Sequence, residues 1–130
     1  MNQVRKEWKS HSAEGVVLRF VVHENRRCHG LALYDWLLRE ARRLGIPGGG
    51  AFRGIAGYGR HGVLTEERFF ELASELPVEV RFVCGEDQAG RLLDAVETAE
   101  LSLFYTLSPV RYGVAGVEKA DWSKVLPPLF

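Results

Sequence analysis

The stretch Gly15-Val16-Val17-Leu18-Arg19-Phe20-Val21-Val22-His23 alternates at period two. Val16, Leu18, Phe20 and Val22 fall on one face, and Val17, Arg19, Val21 and His23 fall on the other, as side chains do along a β-strand. The first face is apolar throughout and requires a cover. The second mixes aliphatic and charged groups, so it is suited neither to open water nor to an ordinary core. A matching strand follows Pro77, where Val78, Val80, Phe82 and Cys84 alternate with Glu79, Arg81 and Val83.

Working outward, Glu24 to Gly30 is turn-prone. Leu33, Trp36, Leu37, Ala41 and Leu44 then recur at helical spacing, opposite Arg39, Arg42 and Arg43. Gly45 and Pro47 stop that helix. Eight glycines crowd the 18 residues from Gly45 to Gly62, yet Ala51 to Tyr58 still reads as a strand loosened by glycine. Thr65 to Leu76 admits two readings: a helix started by Thr65, Glu66 and Glu67, or a loop anchored by Phe69 and Phe70. Ala89, Leu92, Leu93, Val96 and Ala99 mark a second helix, with Asp87 as its N-cap. Leu101, Leu103, Tyr105 and Leu107 mark the last strand.

The order β-α-β-β-α-β predicts an α+β fold. It is a ferredoxin-like sandwich, an antiparallel sheet with two helices on one face. The uncovered face is then expected to carry Val17, Arg19, Val21, Arg53, Glu79, Arg81 and Val83. Self-association that buries this face, with arginine–glutamate pairing, resolves its mixed character.

The 130 residues suit one domain, with an arm at 1–14, a body at 15–116 and a tail at 117–130. Trp122, Val125, Leu126, Leu129 and Phe130 give the tail apolar groups to dock on the body or on a neighbouring subunit. Seventeen basic residues balance 17 acidic ones, which argues against a nucleic-acid binder. The balance is uneven along the chain. Residues 25–62 hold seven arginines against Asp35 and Glu40, net +5, whereas residues 65–100 hold ten acids against Arg68, Arg81 and Arg91, net −7. No apolar run reaches the roughly 20 residues of a membrane helix. The N-terminus, with Arg5, Lys6, Glu7 and Lys9, lacks the apolar core of a signal peptide. Two cysteines, Cys28 and Cys84, make no disulfide framework, so a cytoplasmic location is expected.

Gly57-Tyr58-Gly59-Arg60-His61-Gly62 fits G-x-G-x-x-G, but too few elements follow to build a doubly wound dinucleotide fold. A plain glycine-rich loop is one reading of it. A phosphate-cradling loop is another, with backbone N–H groups beside Arg53, Arg60 and His61. His23, Cys28 and His29 are of metal-ligating types, in a spacing that matches no established ligand pattern. No context marks Ser102, Ser108 or Cys28 as a nucleophile, and Glu66 with Glu67 makes no acid–base couple, so no enzymatic activity is expected. Arg111 and Tyr112 form one further polar–aromatic spot, just after the last strand.

Three stretches resemble the DUF190 (UPF0166) family. They are Leu31 to Ile46, then Ala51-Phe52-Arg53-Gly54-Ile55-Ala56-Gly57-Tyr58-Gly59, then Leu76 to Val83. The F-R-G-I-x-G-[FY]-G run is the most specific of them, and the likeness covers about residues 15–113. That family is similar to the PII signalling proteins, and several functional expectations follow from the resemblance. It implies homotrimers whose sheets face inward, with an adenine nucleotide (ATP, ADP or AMP) in clefts between subunits. It also implies a loop after the second strand that meets a partner such as a membrane channel or transporter. The ligand-binding candidates are then Arg53, Gly54, Gly57, Tyr58, Gly59, Arg60, His61 and Arg111, for a small anionic ligand and with no resident metal. In place of a PII-type glycine-lysine loop stands the acidic Gly85-Glu86-Asp87-Gln88. A metal-binding trimer resembling the copper-tolerance proteins of the same superfamily is the alternative.

Overall fold

The structure is a computed structural model that describes residues 11–59, 62, 64–66 and 76–124, with the backbone alone at 65 and 66. Four strands form the main sheet: β1 (Ala13–His23), β4 (Gly49–Arg53), β7 (Pro77–Cys84) and β8 (Phe104–Tyr112), in the antiparallel order β4-β7-β1-β8. Helix α1 (Leu33–Arg43) links β1 to β4, and α2 (Glu86–Thr98) links β7 to β8. This is the expected ferredoxin-like arrangement.

The core follows the period-two rows. Val16, Leu18, Phe20 and Val22 of β1 pair in register with Cys84, Phe82, Val80 and Val78 of β7, and all eight are buried. Leu33, Leu37 and Ala41 of α1 and Ala89, Leu92 and Val96 of α2 cover them. Each of these larger side chains contributes roughly 1.5–3 kcal/mol by leaving water. Gly49 pairs with Phe82, and a Cβ on Gly49 would stand 2.4 Å from the Phe82 ring. Only glycine lets that ring lie across the edge strand.

Both helices end in the same way. Gly45 (φ +82°) donates to Arg42 O and the buried Ile46 to Ala41 O, at 3.1 and 3.0 Å. At the end of α2, Glu100 (φ +58°) donates to Glu97 O and Leu101 to Val96 O. These are paired C-terminal closures of the Schellman type, with glycine in the left-handed position of the first and glutamate in that of the second.

Local geometry departs from the sequence reading at several points. β1 begins at Ala13 rather than Gly15, because Ala13 and Glu14 pair with Tyr112 and Arg111. The turn-prone stretch contains a two-residue hairpin, β2 (Arg27–Cys28) with β3 (Leu31–Ala32), turning on His29 (φ +50°) and Gly30 (φ +80°). The strand expected over 51–58 breaks at Gly54 and resumes as β5 (Ala56–Gly57), which pairs with β6 (Thr65–Glu66). Thr65 and Glu66 are therefore strand rather than helix start, and 67–75 lie outside the described residues. The cap of α2 is Gly85 rather than Asp87: the Gly85 N–H donates to Gln88 Oε1 at 3.0 Å, and Asp87 sits inside the first turn. The last strand begins at Phe104, while Leu101 and Leu103 pack against the core before it.

After β8, the short 3₁₀ helix Lys119–Lys124 lays Trp122 against Tyr112, with ring centroids 5.8 Å apart, and buries it. Val125, Leu126, Leu129 and Phe130 lie outside the described residues.

Two substitutions check these backbone claims by urea denaturation. Gly49→Ala destabilises by about 1–3 kcal/mol, because Phe82 must give way. Glu100→Gly stabilises by about 1 kcal/mol, because a left-handed residue loses its Cβ penalty.

Candidate functional site

The sheet register decides where each candidate residue stands. Arg53 closes β4 opposite Val78 and shares the helix-side parity of Val80 and Phe82, so it does not belong to the uncovered face. The reason is the pairing of Ala51 with Val80, which turns Phe52 rather than Arg53 away from the helices. The Arg53 guanidinium is paired with the Glu24 carboxylate.

Gly54 continues the ladder by donating to Pro77 O at 2.7 Å. A Cβ on Gly54 would stand 2.9 Å from Pro77 Cγ, and one on Gly57 would stand 3.1 Å from the same atom. The two glycines thus let the β5–β6 hairpin press its stem on the Pro77 ring. Tyr58 (76% exposed), Ile55 and Leu64 project apolar surface from that hairpin. A Cβ on Gly59 would meet nothing, and Gly59 O accepts from Gly62 N at 2.9 Å. Arg60 and His61 lie outside the described residues.

Arg111 lies at the other end of the sheet. It pairs with Glu14 in register, and its guanidinium donates to Ser12 Oγ at 3.1 Å and to Glu14 Oε1 at 3.3 Å. A cleft of about 790 Å³ opens beside it, lined by Glu14, Val16, Glu86, Leu107, Pro109 and Arg111. Arg53 aligns with Val22 through β7, whereas Arg111 aligns with Glu14. Eight strand residues separate those positions, roughly 26 Å. Within one chain, therefore, the two arginines do not share a site.

The uncovered face carries Val17, Val21, Val83, Phe52, Phe104, Arg19, Glu79 and Arg81. Val21, Phe52 and Phe104 are exposed, Phe104 by 67%. Glu79 Oε2 accepts from Arg81 Nη2 at 2.5 Å, and Glu79 Oε1 lies 3.6 Å from Arg19 Nε. The Arg81 guanidinium stands 5.1 Å from the centre of the Phe52 ring. The arginine–glutamate pairing expected of this face is thus already formed inside one chain. Phe52 and Phe104 were not placed on this face by sequence reading. The signal that could have found Phe52 is its even spacing from Gly50, which the glycines around it obscured.

The three metal-ligating types diverge. Cys28 is buried in the core, His29 forms the hairpin turn with its ring 6.4 Å from Trp36, and His23 has the parity of the uncovered face. Among the described residues no group of three or more His, Cys, Asp or Glu could hold a metal ion. Burial raises both the Cys28 and the Cys84 thiol above the ordinary range, and nearby Arg26 offsets part of the effect at Cys28.

Comparison with known proteins places this geometry. The model of the DUF190 family ("Uncharacterized ACR, COG1993") matches residues 15–112, and the chain belongs to that family. A UPF0166 protein of Aquifex aeolicus is 33% identical over 81 residues, covering 62% of this chain and 77% of that protein. A UPF0166 protein of Methanocaldococcus jannaschii is 32% identical over 77 residues, covering 59% of this chain and 70% of that protein. Among solved structures, the chain resembles CPII, a nitrogen regulatory PII-like protein from Thiomonas intermedia K12. In a complex with ADP, AMP and bicarbonate, CPII gives a TM-score of 0.60 at 14% identity, over 79% of this chain and 92% of CPII. A CPII complex with ADP, AMP and acetate gives 0.56 over the same shares. The fold is PII-like. Among the described residues no helix is long and apolar enough to cross a membrane.

The buried thiols set a direct check. At pH 8 neither Cys28 nor Cys84 reacts with Ellman's reagent at the rate of a small thiol, and both react fully in denaturant. A native rate within tenfold of the denatured one contradicts the burial described.

Proposed function

We propose that this chain is a PII-like regulatory protein, trimeric and non-enzymatic, that binds an adenine nucleotide in clefts between subunits. The observation that carries the reading is the placement of Arg53 and Arg111 at opposite ends of one sheet. Two such arginines meet around one anion only when different copies supply them. The uncovered face, with Val21, Phe52 and Phe104 exposed, gives the copies a reason to associate. The nucleotides in the CPII complexes suggest the ligand class.

In this reading Arg53 of one subunit and Arg111 of the next contact phosphate, and Gly54, Gly57 and Gly59 admit the ligand to the backbone. Arg60 and His61 extend the same loop. Each arginine exchanges its carboxylate, Glu24 or Glu14, for phosphate on binding. The β5–β6 hairpin and its approach present Ile55, Tyr58 and Leu64 to a partner protein, such as a membrane channel or transporter, from the cytoplasm. The diverging positions of His23, Cys28 and His29 favour this reading over a metal-binding trimer.

Calorimetric titration with ATP, ADP and AMP, alongside light-scattering mass, tests the proposal. The expected result is a trimer that binds at least one of the three, with Arg53→Ala and Arg111→Ala each weakening binding at least tenfold. Mixing the two variants after co-refolding restores about a quarter of the clefts, because an intact cleft draws Arg53 and Arg111 from different chains. No binding at millimolar nucleotide, or no restoration on mixing, overturns it.

A further inference from the structure

The Arg111 guanidinium is held by acceptors of its own chain, and a distant segment grips one of them. Arg111 stands opposite Glu14 at the start of β1, and it donates to Ser12 Oγ and to Glu14 Oε1. A phosphate that approaches the same fork competes with both. The Ser12 carbonyl accepts from Lys119 Nζ at 3.3 Å, and His11 Nε2 lies 3.6 Å from Glu118 Oε2. Those partners belong to the stretch that lays Trp122 on Tyr112. Gly113 sits between the two segments: a Cβ there would stand 3.3 Å from His11 O and 3.5 Å from Trp122 Cζ2. Residues 11 and 12 are therefore held from one side by Arg111 and from the other by the segment that follows β8.

That segment docks at a cost. Trp122 is buried, and its indole Nε1–H has no hydrogen-bond partner among the described residues. A donor taken out of water without an acceptor offsets much of what burial of the ring contributes. The polar ties beside it are surface contacts, which contribute little. A small change in the groups it grips is enough to shift such a segment.

We propose that the Lys119–Lys124 segment is an autoinhibitory strap: by fixing residues 11 and 12 it keeps Ser12 on the Arg111 guanidinium, in competition with phosphate. The inference rests on the reading of Arg111 as a phosphate contact. Ser12 is the competing group, and Lys119 and Trp122 are positioning residues that act through it. Tyr112, on which Trp122 rests, alternates to the side of the sheet opposite Arg111, so the strap acts on the guanidinium from outside the cleft. The coupling is reciprocal: the strap weakens phosphate binding by the same factor by which phosphate loosens the strap.

The tightest binder among ATP, ADP and AMP is the probe, titrated calorimetrically into the full chain and into its Ser12→Ala and Trp122→Ala variants. Each variant is expected to bind about fivefold more tightly than the wild type, because one acceptor no longer competes for Arg111. A merely structural role for either residue weakens binding instead. Hydrogen exchange over residues 117–124, read by mass spectrometry, is expected to quicken about fivefold when the probe saturates the wild-type chain. If Trp122→Ala fails to fold, Ser12→Ala and the wild-type exchange rates decide. Unchanged or weaker binding by Ser12→Ala or by a folded Trp122→Ala overturns this inference and leaves the nucleotide reading standing. So does exchange over 117–124 that the probe leaves unchanged or slows. Absence of binding by all three nucleotides in the wild type overturns both.

Discussion

Val16, Leu18, Phe20 and Val22 on β1 lie against Val78, Val80, Phe82 and Cys84 on β7, and the rest of the molecule depends on those two apolar rows. Two helices are enough to cover one side of a four-stranded sheet. Alternation then imposes a consequence that no local choice can remove: Val17, Arg19 and Val21 must point the other way. The same geometry that builds the core therefore builds a half-apolar, half-charged surface. The core and the mixed face opposite it are two readings of one pleat.

The ends of the sheet differ in chemistry from its middle. Antiparallel pairing sends Arg53 and Arg111 to opposite ends, each resting against a carboxylate of its own chain. Ion pairs at the surface contribute little, roughly 0–1 kcal/mol when exposed. Glycine enters here for close approach rather than for loose motion. Gly49 yields to the Phe82 ring, and Gly54 and Gly57 yield to Pro77, so the hairpin that carries Tyr58 is seated on the sheet at its base.

Much of this was legible in the residues themselves. Period-two rows located β1 and β7 and assigned their faces, and period-3.6 rows located both helices with their covering sides. Local backbone exchange was less legible. Gly85 rather than Asp87 caps α2, because the Gln88 side chain reaches back to the Gly85 N–H. Thr65 and Glu66 entered a short ladder with Ala56 and Gly57. Both outcomes turn on a single hydrogen-bond choice that composition does not distinguish. The candidate site was legible as a set of residue types and not as a place. The run from Arg53 to Gly59 was recognisable, yet its separation from Arg111 was not.

By itself, then, the sequence determined the order of elements, the buried rows and the mixed character of the opposite face, because side-chain direction along a strand or helix follows from period alone. Tertiary structure decided which residues occupy that face and which meet at each end of the sheet. It put Phe52 on the face and Arg53 at the edge, and it aligned Arg19 with Arg81. Those outcomes depend on strand register, and register is fixed only when distant segments pack together.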